Sequence, residues 1–146
     1  MDLETVDAAV FGAGLRGLGL NLLVRDVRAE AARLAAVFGM QAHRVSDDFA
    51  IIGYGPTLFQ LHHDRTFASN PAFALLPETP PRGGGIELRL YDSDPDAAVA
   101  LAPAHDFSVL QPPTNKPHGL REATLLCPDG YAWVPSRPLQ SGRSIG

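Results

Sequence analysis

Residues 19–39 read GLNLLVRDVRAEAARLAAVFG, and two periodicities meet inside them. Leu20, Leu22 and Val24 alternate with Asn21 and Arg25, the period-two pattern of a half-buried strand over Gly19–Asp26. From Asp26 the period lengthens. Val27, Ala31, Leu34, Ala35 and Phe38 share a helical face, Asp26 stands at the N-cap, and Gly39 stands where a left-handed C-terminal cap belongs. The stretch therefore predicts a strand, then a capped helix.

Three β-type runs follow, about Gln41–Ser46, Phe49–Tyr54 and Thr57–His63, separated by the turn signals Asp47-Asp48 and Gly55-Pro56. A β-α-β-β-β module over about residues 18–63 results. Residues 64–85 hold four prolines and Gly83-Gly84-Gly85 and lack periodicity, so they read as a linker without an element of its own. The same grammar then restarts. Ile86–Tyr91 alternates as a strand, and Asp94-Pro95 offers an N-cap followed by proline at the first helical position. Ala97, Ala98, Leu101 and Ala102 continue a helix that Pro103 cuts short. Phe107–Leu110, Glu122–Cys127 and Tyr131–Val134 are the remaining strands, with Pro128-Asp129-Gly130 as a tight turn, and module two covers about 86–136.

Setting Asp26 against Asp94 aligns Leu20 with Leu88 and Leu22 with Leu90, which internal duplication explains most simply. The fold class expected is α+β. Each half has a four-stranded sheet whose one face takes the helix and whose other face needs a second half, giving a cleft-shaped, partly open β-barrel.

The 146 residues, 45% hydrophobic and 19% charged, suffice for a real core. A net charge of −4, with twelve scattered Lys and Arg, argues against a nucleic-acid partner. No apolar run approaches the roughly 20 residues of a membrane helix, and no basic n-region opens the chain, so a cytoplasmic protein without a membrane partner is expected. The single Cys127 excludes an internal disulfide and reads as a buried small hydrophobe. Gly12-Ala-Gly-Leu-Arg-Gly17 matches a dinucleotide fingerprint, but a period-two strand follows where that fingerprint needs a helix. Residues 1–17 read instead as a flexible lead-in or an extra edge segment. No Gly-x-Ser-x-Gly, Walker-type or His-Glu-x-x-His motif occurs.

The module order, together with His118-Gly-Leu-Arg-Glu-Ala123 running into Pro128-Asp-Gly-Tyr131, resembles the glyoxalase/bleomycin-resistance/dioxygenase (vicinal oxygen chelate) superfamily over about residues 18–135. Cys127 stands where the family's Asp-Pro-Asp-Gly segment has its first Asp. The resemblance implies four metal ligands, two from each module, which fall here at Gly19, Gln60, Glu87 and Val134. Gly19 and Val134 bring no side-chain donor, so the favoured reading has neither metal nor other cofactor. A divalent ion on Gln60 and Glu87, with His62 as third ligand, is the alternative.

Strand parity sets Gln60 and His62 opposite Phe59 and Leu61, and Glu87, Arg89 and Tyr91 opposite Ile86, Leu88 and Leu90. Either each polar face meets solvent, or Asn21, Gln60, His62, Glu87, Arg89 and Tyr91, with His118, line a ligand pocket. His63 falls on the other parity and reads as a surface residue, and Trp133 has the parity of the core. His118 is either a proton carrier or ring platform for a ligand, or a plain loop residue. Glu122, opening an apolar strand, either pairs with another charge or has a raised pKa suited to general-base work. The resemblance then implies a small-molecule-binding protein, homodimeric and metal-free. The alternatives are a metal-dependent lyase, isomerase or ring-cleaving dioxygenase acting on vicinal oxygens, and a pure interaction module.

Overall fold

The computed structural model describes residues 1–139 as two compact units, Met1 to Leu76 and a second beginning at Pro77. In the first, the period-two stretch shortens to β1 (Asn21–Val24) and leads into α2 (Val27–Phe38), which follows an additional helix α1 (Ala8–Gly14). Asp26 caps α2 by accepting from the Ala29 amide at 3.0 Å. Gly39 ends it in the left-handed region, φ 69°, with its N–H returned to Ala35 and Leu34 carbonyls. The strands β2 (Gln41–His43), β3 (Phe49–Tyr54) and β4 (Thr57–His63) complete a sheet of order β1-β4-β3-β2. β1 and β4 are parallel and the other pairs antiparallel.

α2 covers one face of that sheet. Leu22, Val24, Ala50, Ile52, Phe59 and Leu61 lie on it and are buried, as are Val27, Ala31, Leu34, Val37 and Phe38 of the helix. The opposite face carries Asn21, Phe49, Ile51, Leu58, Gln60 and His62 by register.

The second unit repeats this plan. Its elements are β5 (Glu87–Leu90), α3 (Pro95–Leu101), β6 (Ser108–Asn115), β7 (Leu120–Leu126) and β8 (Ala132–Pro138), in sheet order β5-β8-β7-β6 with β5 and β8 parallel. Asp94 caps α3 through the Asp96 and Ala97 amides, Pro95 takes the first turn, and Pro103 marks the change to a short 3-10 turn, Ala102–His105. Asn21 pairs with Gln60 and Arg89 with Val134, so the parallel registers place Asn21 with Arg89 and Gln60 with Val134 as equivalent positions. Duplication is thus written in the strand pairing as well as in the caps.

Three expectations need correction. Residues 1–17 contain α1, capped by Asp7 and burying Phe11, instead of a lead-in or edge segment. That helix ends inside the glycine motif at Gly14, so the motif's helix polarity is the reverse of a dinucleotide site. The linker is not element-free, since Asp64–Phe67 and Pro71–Leu75 form 3-10 turns. β6 runs to Asn115, through Pro112 and Pro113, well past the expected Leu110. It is the sheet's outer strand and its register slips between Val109 and Gln111 and again between Gln111 and Thr114, the two settings in which a strand tolerates prolines. Among the described residues no helix is long and apolar enough to cross a membrane.

Candidate functional site

The first unit places Gln60 and His62 on the face away from α2. The His62 Nε2–H donates to Gln60 Oε1 at 3.0 Å, which orients the amide. Phe49 and Phe67 meet the imidazole edge-on at centroid distances of 5.2 and 5.3 Å. Burial lowers the His62 pKa below its usual 6.5, so the ring is neutral at pH 7. Gln60 borders two hollows. One, about 490 Å³, is floored by the loop 15–20, Asn21 and Leu58. The other, about 320 Å³, lies between α1 and the sheet, with Phe11, Phe49, Ile51 and Arg44 around it. Asn21 is exposed beside Gln60, and the neighbouring His63 caps the 3-10 turn by accepting from the Arg65 amide.

In the second unit a side chain on the polar face of β5 reaches across β8 to β7. Arg89 donates through Nη1 to Glu87 at 3.0 Å and through Nη2 to Glu122 at 2.7 Å, and its guanidinium lies 5.8 Å from the Tyr91 ring centroid. His118, in the β6–β7 turn, donates from Nε2 to the same Glu122 oxygen at 2.9 Å. Glu87, Arg89, Tyr91, His118 and Glu122 therefore form one network.

Of the two readings of Glu122, pairing with another charge is the one that its contacts with Arg89 and His118 match. Burial does push the carboxyl up, but Arg89 and His118 together outweigh it and hold the pKa below 4.5. Glu122 raises the Arg89 pKa in return. The carboxylate is a fixed anion and a weak base. Trp133 is buried at 1% exposure, on the core parity.

No family model matches the sequence, and no curated protein does. Solved structures do match over nearly the whole chain. A glyoxalase/bleomycin resistance protein/dioxygenase family enzyme from Burkholderia phytofirmans PsJN superposes with a TM-score of 0.69 at 22% identity, covering 82% of this chain and 96% of its own. A glyoxalase/bleomycin resistance protein/dioxygenase from Nocardioides gives 0.63 at 19%, covering 92% and 93%. The fosfomycin resistance protein FosX from Mesorhizobium loti gives 0.60 at 13%, covering 89% and 98%. The chain has the glyoxalase/bleomycin-resistance/dioxygenase fold.

Within that fold, the donors at the four positions named from the sequence do not suit a divalent ion. Gly19 has no side chain, and Val134 is apolar and fully buried. Gln60 is already bonded to His62, and Glu87 is paired with the Arg89 guanidinium, whose charge repels a cation brought to that carboxylate. Among the described residues no group of three or more His, Cys, Asp or Glu is placed to hold a metal.

Two residues of consequence escape sequence reading. Phe11 lies in a segment without strand or long-helix periodicity, and Arg44 reads as an ordinary polar residue in a strand. Arg44 instead ends β2 in the left-handed region, φ 54°. Its amide donates to both Glu4 carboxylate oxygens at 3.0 Å, and its guanidinium donates to the Val6 carbonyl. It thereby ties the N-terminal segment to the sheet, a link between residues forty apart that no local pattern encodes.

Proposed function

We propose that the chain is a small-molecule-binding protein of the glyoxalase/bleomycin-resistance superfamily that works without the usual metal centre, in the cytoplasm and as a homodimer. The observation that carries this reading is the closed Arg89 network. Glu87 and Glu122 are both engaged by one guanidinium, and the position facing Arg89 across the parallel pair is Val134. Such a face offers fixed charge and hydrogen bonds to a ligand rather than open coordination sites. Within the first unit, the hollows beside Gln60, with Asn21 and His62 at hand, supply surface to be covered.

A second reading, a lyase, isomerase or ring-cleaving dioxygenase, draws on the His118–Glu122 pair. An imidazole held by an ionised carboxylate and more than half exposed is arranged for proton transfer, with His118 the proton carrier and Glu122 its anchor.

The test combines thermal shift against a panel of neutral aromatic, cationic and carboxylate compounds with elemental analysis of protein purified without chelator. A ligand at a hundred times its Kd adds about 2.7 kcal/mol, a rise in Tm of roughly 5–10 °C. Such a rise, with metal below about a tenth of an equivalent, supports the binding protein. Near-stoichiometric metal whose removal abolishes a measured turnover supports the enzyme and defeats the first reading.

A further inference from the structure

The hollow beneath α1 has a distribution of chemistry that the general reading does not use. Ala8, Phe11, Phe49 and Ile51 give it apolar walls, while Arg44 and Gln60 are its polar members and no carboxylate lines it. At about 320 Å³ it lies at the small end of the roughly 300–1,000 Å³ of ligand pockets. Arg44 is half-buried, and among the described residues no carboxylate stands within ion-pair distance of its guanidinium. Glu4 engages the Arg44 main-chain amide, and among the described residues the guanidinium donates only to the Val6 carbonyl. A guanidinium carries five donors, so most of this one's capacity is left for a ligand. Gln60 is polarised the same way. Its Oε1 accepts from the His62 Nε2–H, and its amide nitrogen brings two N–H donors.

We infer that this hollow is a binding site for a small apolar carboxylate, an aryl or short acyl acid, with the anion on Arg44 and the Gln60 amide and the hydrocarbon against Phe11, Phe49 and Ile51. This deepens the small-molecule-binding reading and rests on it. The N-terminal helix becomes part of the site: Phe11 forms a wall, and Arg44 serves both as anion anchor and as the tie that keeps α1 in place. The left-handed backbone at Arg44, costly for a residue with a Cβ, is consistent with a position where function outweighs local comfort.

Calorimetric titration of the full chain with octanoate and phenylacetate, each beside its neutral amide, tests the assignment. The acids are expected to bind roughly ten- to a hundredfold tighter than the amides, the difference made by a charge-assisted hydrogen bond to a partly desolvated guanidinium. Arg44→Met should erase that preference while amide binding persists, and Arg44→Lys should keep part of it. Phe11→Ala should weaken acids and amides alike. Arg28→Ala, which removes an exposed cation paired with Asp47, should change nothing and controls for net charge. Circular dichroism on Arg44→Lys and Arg44→Met verifies that both fold. Equal affinity for acid and amide, or an acid preference that survives in Arg44→Met, overturns the carboxylate assignment while leaving a neutral-ligand binding protein intact. Absence of binding by all four compounds overturns the assignment of this hollow, while the small-molecule-binding reading is decided separately by the wider thermal-shift panel.

Discussion

Replacing Glu122 with Gln keeps the shape of the side chain, removes its charge and exchanges one acceptor oxygen for an amide NH2. In the wild type this carboxylate, 5% exposed, accepts from Arg89 at 2.7 Å and from His118 at 2.9 Å. Charge-assisted bonds contribute about 1.5–3 kcal/mol each, and neutral ones about half as much, so two bonds downgraded would lose about 1.5–3 kcal/mol. His118 is more than half exposed, and its share is discounted for solvent screening, while Arg89 keeps Glu87 as a partner. The expected loss is about 2 kcal/mol, short of the roughly 3–5 kcal/mol of a fully buried pair broken on one side. Urea unfolding at pH 7 measures it, as a fall in midpoint without change in slope. Because the folded-state pKa of Glu122 is lowered, its contribution is complete above 4.5 and is lost as pH falls through the folded value. The gap between wild type and variant must therefore narrow in acid. A loss under about 0.5 kcal/mol at pH 7, the level of a surface pair, or a gap constant down to acid unfolding, would refute the reasoning.

His62 has a depressed pKa, so the unfolded chain binds more protons than the folded one as pH drops below 6.5, and stability should fall there. A His62→Gln variant flattens that part of the profile if His62 is its source. Asp94→Ala removes the acceptor for two amides at the start of α3 and should lower stability by about 1 kcal/mol in the same assay. Leu61→Ala, at a fully buried position beneath α2, should cost about 2–5 kcal/mol and raise amide exchange throughout the first sheet. Incubation with a strong chelator followed by thermal unfolding should leave Tm unchanged for a metal-free protein.

The parts legible in the sequence are those where one residue type does one local job. Asp26 and Asp94 cap, Gly39 stops, Gly55-Pro56 turns, and the strands Phe49–Tyr54 and Thr57–His63 lie where their alternation put them. The parts that stayed hidden depend on partners distant in the chain. α1 is a seven-residue, glycine-containing helix whose propensity alone would not sustain it, and its Phe11 is nonetheless buried. β6 continues through two prolines because an outer, bulged strand needs fewer ladder bonds than a central one. The two readings of Glu122 stayed open because the sequence shows an acid opening an apolar strand and does not show a guanidinium arriving from a strand thirty-three residues away. Parity nonetheless put Gln60 with His62, and Glu87 with Arg89 and Tyr91, on their shared faces.

The prolines of β6 also bear on how the protein behaves when crowded with copies of itself. At eight residues β6 is longer than β1, β2 or β5, the other outer strands, and so offers the most backbone for another chain to pair with. Pro112 and Pro113 lack the amide hydrogens such pairing uses, and the two register slips bend the strand out of the straight line an incoming partner would need. The irregularity that obscured this strand in the sequence protects the sheet against open-ended strand addition, and regularising it with Pro112→Thr and Pro113→Val would trade that protection for a smoother ladder.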